Sequence, residues 1–124
     1  MSSSREYDLN ERLINYAVVI INLLDKITKN EVGRHLGNQL MRAATSTALN
    51  YGEAQSAESN KDFIHKLRLI LKELRESKNC ILILKKSNNL DDGVLELNET
   101  SELIAIFTKS IETANSKSRI KNSK

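Results

Sequence analysis

Apolar residues recur along the chain at three- and four-residue spacing, the repeat of an α-helix. Leu9, Leu13, Tyr16, Ile20, Leu24 and Ile27 form one stripe and predict a first helix from about Asp8 to about Thr28, with Asp8 and Glu11 spaced as a capping box. Ile14, Val18 and Ile21 form a second stripe on another side of the same helix. A helix that is apolar on two sides needs cover on two sides. Each helix of a small four-helix bundle keeps one side outward, so the spacing predicts that the second cover comes from another subunit.

The turn at Lys29-Asn30 leads into a second helix that ends near Ala57, with Gly33 and Gly37 weakening its start tolerably. Wound at roughly 100° per residue, Gln39, Arg42, Ser46, Asn50 and Glu53 fall on one polar line. Leu36, Leu40, Ala43, Ala44, Thr47 and Tyr51 make the flank beside it, which a neighbouring helix can approach closely. Ser59 caps a third helix, with Asp62 in its first turn where the helix dipole favours a carboxylate. That helix runs to about Lys86 and turns Phe63, Leu67, Ile70, Leu71, Leu74, Ile81 and Leu84 to the core. Arg68, Lys72, Arg75 and Lys86 line up on another face with Lys78 beside them, and Leu69, Cys80 and Ile83 form a minor apolar strip.

Ser87 to Gly93 is the clear loop. A fourth helix starts raggedly before about Thr100, capped near Asp92 or at Asn98, and presents Leu103, Ile106, Phe107, Ser110 and Ile111 inward. After Ala114 the pattern dissolves. The expected organisation is one domain over residues 1–116 and a flexible basic tail over 117–124 that carries Lys117, Arg119 and Lys121. The fold class is all-α, an antiparallel up-down four-helix bundle. Ile14, Val18, Ile21, Leu69, Cys80 and Ile83 are the candidate contacts between copies.

The run Gln39-Leu40-x-Arg42-Ala43-Ala44-Thr45-Ser46, followed by Asn50-Tyr51-x-Glu53-Ala54, resembles the signature of the bacterial four-helix-bundle family also called the 23S ribosomal RNA intervening-sequence proteins. The likeness continues through Ser59-x-x-Asp62-Phe63-Ile64-x-Lys66-Leu67 and Lys72-Glu73-x-x-Glu76-Ser77, and it ends in Glu102 to Ile111. Leu49 and Gly52 depart from the pattern, as does Cys80-Ile81 where a bulky aromatic often stands. A relative of that family is the accessory variability determinant of diversity-generating retroelements, a basic pentameric barrel that works with nucleic acid and a reverse transcriptase. The resemblance implies a homopentameric ring, and a partnership with RNA or DNA and a reverse transcriptase.

Composition narrows the picture. The 124 residues include no proline and only 4 Gly, so nothing breaks long helices, and with 4% aromatics and no Trp the core is expected to be aliphatic. The single Cys80 excludes an internal disulfide framework and suits a reducing cytosol. No basic stretch followed by an apolar core opens the chain, and the longest apolar run is too short for a bilayer. A cytoplasmic protein with no membrane partner is the expectation. Charge is uneven: 7 basic and 8 acidic side chains up to Asp62, then 12 and 8 beyond it. A basic helix face with a basic tail can track phosphates. An exposed face that merely solvates its helix has the same composition.

Catalytic chemistry has little to stand on. His35 and His65 are far apart, on different helices, with no ligand partners at metal spacing. Glu73 and Glu76 lack the Glu-x-x-His pairs of a di-iron bundle and are expected to pair with Arg42 or Lys72, or to hold the polar line of the second helix. Cys80 has no local base, and no Gly-rich phosphate loop is present. The sequence therefore predicts no enzyme, cofactor, metal or small-molecule substrate. Two functions stand: an oligomeric nucleic-acid-binding or reverse-transcriptase accessory protein using Arg68, Lys72, Arg75, Lys78, Lys86, Lys117, Arg119 and Lys121, or a scaffold for a protein partner. Gln39, Arg42, Ser46, Asn50, Glu53, Glu73 and Glu76 form a structural polar ladder in either case.

Overall fold

Four helices follow one another: α1 Ser3–Leu24, α2 Glu31–Gln55, α3 Asn60–Lys86 and α4 Val94–Asn122. The structure, a computed structural model, describes the backbone of residues 3–122 and the side chains of residues 9–117. Among the described residues there is no strand. α1 packs on α2 and α4, α2 on α3, and α3 on α4, which leaves α1 diagonal to α3. The ties between neighbours run in opposite sequence order. Arg12 meets Glu99 and Glu102 while Lys26 meets Asp92, and Arg42 meets Glu73 and Glu76 while Glu53 meets Lys66.

The main stripes supply the core. Leu13, Tyr16 and Ile20 of α1, Leu40 and Ala44 of α2, Leu67, Ile70, Leu74 and Ile81 of α3, and Leu103 and Phe107 of α4 are all but inaccessible to solvent. The Tyr51 and Phe107 rings meet edge to face, with centroids 6.0 Å apart. Buried polar groups are answered locally. Thr47 Oγ1 donates to the Ala44 carbonyl at 2.7 Å, Ser77 Oγ to that of Glu73 at 2.9 Å, and Thr100 Oγ1 to that of Glu96 at 2.6 Å. The Tyr16 hydroxyl lies 2.7 Å from Thr100 Oγ1 and ties α1 to α4 inside the core.

Several helix ends differ from the expected ones. α1 begins at Ser3, so Asp8 lies within the helix instead of capping it. α1 stops at Leu24, and Ile27 reaches the core from a turn closed by Lys26 N–H to the Leu23 carbonyl and Ile27 N–H to the Leu24 carbonyl. A periodic stripe does not distinguish a last helical turn from a tight turn that keeps its phase. On α3, Phe63 is half-buried and Ile64 takes the buried place. α4 starts at Val94, next to the earlier of its two expected caps, but it runs past Ala114 to Asn122 because no glycine or proline follows Gly93.

The two loops at one end are locked to each other. The Thr28 N–H donates to the Asn89 carbonyl at 2.8 Å and the Asn30 side-chain amide to Asn89 Oδ1 at 2.7 Å. Asn30 also caps α2 by accepting from the Gly33 N–H. α3 ends in a Schellman motif: Asn88 takes φ 61°, its N–H bonds the Lys85 carbonyl, and the Asn89 N–H bonds the Leu84 carbonyl.

Candidate nucleic-acid interface

The long α3 helix exposes Arg68, Lys72, Arg75 and Lys86 along its outer face, with Lys78 half-buried on the flank. The face is basic because apolar positions take the inward arc at helical spacing and leave the outward arc to long charged chains. None of these five cations has a carboxylate within ion-pair distance among the described residues, in contrast to Arg12, Lys26, Arg42 and Lys66. Arg68, Lys72 and Arg75 rim a groove of about 390 Å³ between α3 and α4, floored by Leu71 and Ile111. Leu71 falls three residues after Arg68 and four before Arg75, so its place at the edge of the basic line was legible in the spacing. Ile111 comes from the neighbouring helix, and only tertiary structure brings it there.

Lys117 is exposed on the last described turns of α4, and the side chains of Arg119 and Lys121 lie outside the described residues. Lys85, next to Lys86, is engaged: its ammonium donates to the carbonyls of Asp91 and Asp92 at 3.1 and 2.9 Å, anchoring the loop before α4. The free cations thus lie mainly on one side of the bundle.

The polar line of α2 is realised in part. Arg42 forks across to α3, with Nη1 2.8 Å from Glu73 and Nη2 on Glu76, and Lys66 of α3 meets Glu53 at 2.8 Å. Gln39, Ser46 and Asn50 are half-buried along the same line. Glu73 is the buried member and Arg42 is about half exposed, so the ladder is an edge seam between α2 and α3. The bonds from Glu76 and Glu73 raise the Arg42 guanidinium, which keeps it charged at every ordinary pH.

A second seam was not anticipated from the sequence. Arg12 bonds Glu99 through Nε at 2.8 Å and Nη2 at 2.7 Å, and it reaches Glu102 at 2.9 Å. The Arg12 bond holds the Glu99 carboxyl below its ordinary range, against the opposing push of burial. The partners lie on the first and last helices, a separation that local spacing cannot bridge.

The candidate contacts between copies divide. Ile14, Val18 and Ile21 are 42%, 48% and 44% exposed, so among the described residues nothing buries the second stripe of α1. Ile83 is half exposed and Leu69 half-buried. Cys80 does not belong with them: it is 5% exposed within its own core, on the arc of α3 that turns toward α2. Burial pushes its thiol up, away from a reactive thiolate. His35 and His65 are exposed on α2 and α3, and among the described residues no cluster of His, Cys, Asp or Glu could hold a metal ion. No described helix is long and apolar enough to cross a membrane.

A profile of the family described as 23S rRNA-intervening sequence protein matches residues 5–113. Among solved structures, a protein of unknown function from the S23 ribosomal protein family of Bacteroides thetaiotaomicron is similar at 25% identity and a TM-score of 0.78, over 86% of this chain and 97% of that one. No curated protein is significantly similar. The matched span takes in the α2 polar line, the Arg42 seam and the α3 basic face together, and the chain belongs to the 23S rRNA-intervening sequence protein family.

Proposed function

We propose that this protein is a non-enzymatic, cytoplasmic, self-assembling antiparallel bundle that binds the phosphate backbone of nucleic acid through the outer face of α3. The observation that carries it is the line Arg68, Lys72, Arg75 and Lys86: exposed, of one sign, and without carboxylate partners among the described residues. A cation already paired within its chain gains little from a phosphate, whereas an unpaired one releases condensed counterions on contact. The groove beside the line has an aliphatic floor and no aromatic ring, which suits duplex or structured nucleic acid better than a stacked single strand. The family name points to RNA. The resemblance to a retroelement accessory protein adds a reverse transcriptase as a partner and five as the copy number.

The test is fluorescence anisotropy of a labelled duplex RNA at low salt, with wild type and a variant carrying Arg68→Gln, Lys72→Gln, Arg75→Gln and Lys86→Gln. The expected result is binding by wild type and loss in the variant, with unchanged helicity by circular dichroism. Equal binding by both proteins moves the site elsewhere on the surface. No binding by wild type defeats the reading and favours the other one, a scaffold for a protein partner.

A further inference from the structure

We propose that copies of this chain join head to tail, the outer stripe of α1 on one copy seating in the α3–α4 groove of the next. The stripe reads Glu11, Ile14, Val18, Ile21, Asp25 along one line of the helix: three exposed apolar side chains between two exposed carboxylates. Neither Glu11 nor Asp25 has an ion-pair partner among the described residues. Two such stripes packed antiparallel across a two-fold axis would stack apolar on apolar but bring carboxylates to both ends, so like charge opposes the isologous contact. The complementary surface is an apolar floor rimmed by free cations, and the α3–α4 groove is that surface: Leu71 and Ile111 below, Arg68, Lys72 and Arg75 around.

The two surfaces differ, so the contact is heterologous, and each copy leaves one stripe and one groove open for the next. The groove lies between α3 and α4, to one side of the diagonal from α1 to α3. Successive copies therefore turn instead of continuing straight, the condition for a closed ring. The inference stands on the α1 stripe and is independent of nucleic acid, but both demand Arg68, Lys72 and Arg75. A seated α1 shares those three cations with phosphate, and Lys86 lies outside the groove lining.

The test uses paired cysteines and mass by light scattering on the full chain. Val18→Cys and Lys72→Cys proteins are prepared separately and mixed under mild oxidation; Cys80 is buried and stays out of the reaction. A cross-link that forms in the mixture, and far more slowly in either protein alone, is the expected result. A dominant Val18→Cys homodimer would establish the isologous contact and overturn the proposal. In parallel, Glu11→Lys with Asp25→Lys should drop the mass to that of one chain while the melting curve keeps its cooperativity. Adding Arg68→Glu, Lys72→Glu and Arg75→Glu to the same chain should restore the assembly. An unchanged mass in the α1 variant, or a wild type that is monomeric at high concentration, also overturns it. The α1 variant keeps every α3 cation, so its RNA binding reads the phosphate site while its mass reads the assembly, and the two readings fail separately.

Discussion

At the scale of single residues, the glycines separate geometry from composition. A Cβ on Gly33 would sit 1.9 Å from the Thr28 carbonyl oxygen and 3.0 Å from an Ile27 methyl, so the turn after α1 and the start of α2 approach too closely for any side chain. Gly33→Ala should destabilise by about 2–3 kcal/mol, read as a lower urea midpoint at unchanged slope. Gly52 meets nothing within 4 Å and lies in a helix, so Gly52→Ala should stabilise by roughly 0.5–1 kcal/mol in the same assay. The helical pattern makes both positions look equally weakening. The difference lies in the path of a neighbouring backbone, which one-dimensional spacing does not record. Gly93 is a third case, because φ of +108° excludes ordinary side chains whatever the space around it.

Between elements, two charged seams tie helices together from opposite edges of the bundle. Arg42 is the only cation on Glu73 among the described residues, and Glu73 is 8% exposed. Arg42→Leu leaves that carboxylate buried and unpaired, at a cost of about 1–3 kcal/mol. Arg42→Leu with Glu73→Leu should recover most of the loss, and a double-mutant cycle on urea midpoints measures the coupling. The Arg12 seam makes a pH prediction. Glu99 has a carboxyl pKa below its unfolded value, so the unfolded chain binds protons first as the pH falls. The contribution is complete above the ordinary glutamate range and is lost as pH falls through the lowered value. Arg12 is more than a third exposed, and screening keeps the seam near 1 kcal/mol. Arg12→Gln should cost about that much at neutral pH and progressively less as the pH falls through the lowered Glu99 value. The α2–α3 pairing of Arg42 with Glu73 and Glu76 was legible because adjacent helices joined by a short turn must pack. The Arg12 pairing was not, because it depends on which helices close the bundle. Boundaries were the weaker part of the pattern: Ile27 keeps helical phase from outside the helix, and α4 outruns its own apolar stripe.

Over the whole molecule, charge distribution decides more than net charge. The formal net charge of +3 is modest for 124 residues, yet many of the acidic groups serve seams: Glu73 and Glu76 on Arg42, Glu99 and Glu102 on Arg12, Glu53 on Lys66, Asp92 on Lys26. What remains free on α3 is almost wholly positive, so the surface offered to a polyanion is stronger than composition suggests. A slope of binding affinity against salt counts the phosphates engaged, independent of structure. Four α3 cations acting together on a duplex imply a log–log slope of about −3.6, and affinity should fall by roughly a hundredfold between about 50 and 200 mM monovalent salt. Each Lys or Arg neutralised singly should reduce the slope by about one. Anisotropy titrations over a salt series, run at protein concentrations below assembly, check this directly. A slope that does not change when Lys72 or Lys86 is neutralised would place the phosphates on another surface. A slope much steeper than four contacts allow would bring the basic end of α4, with Lys117, into the same footprint.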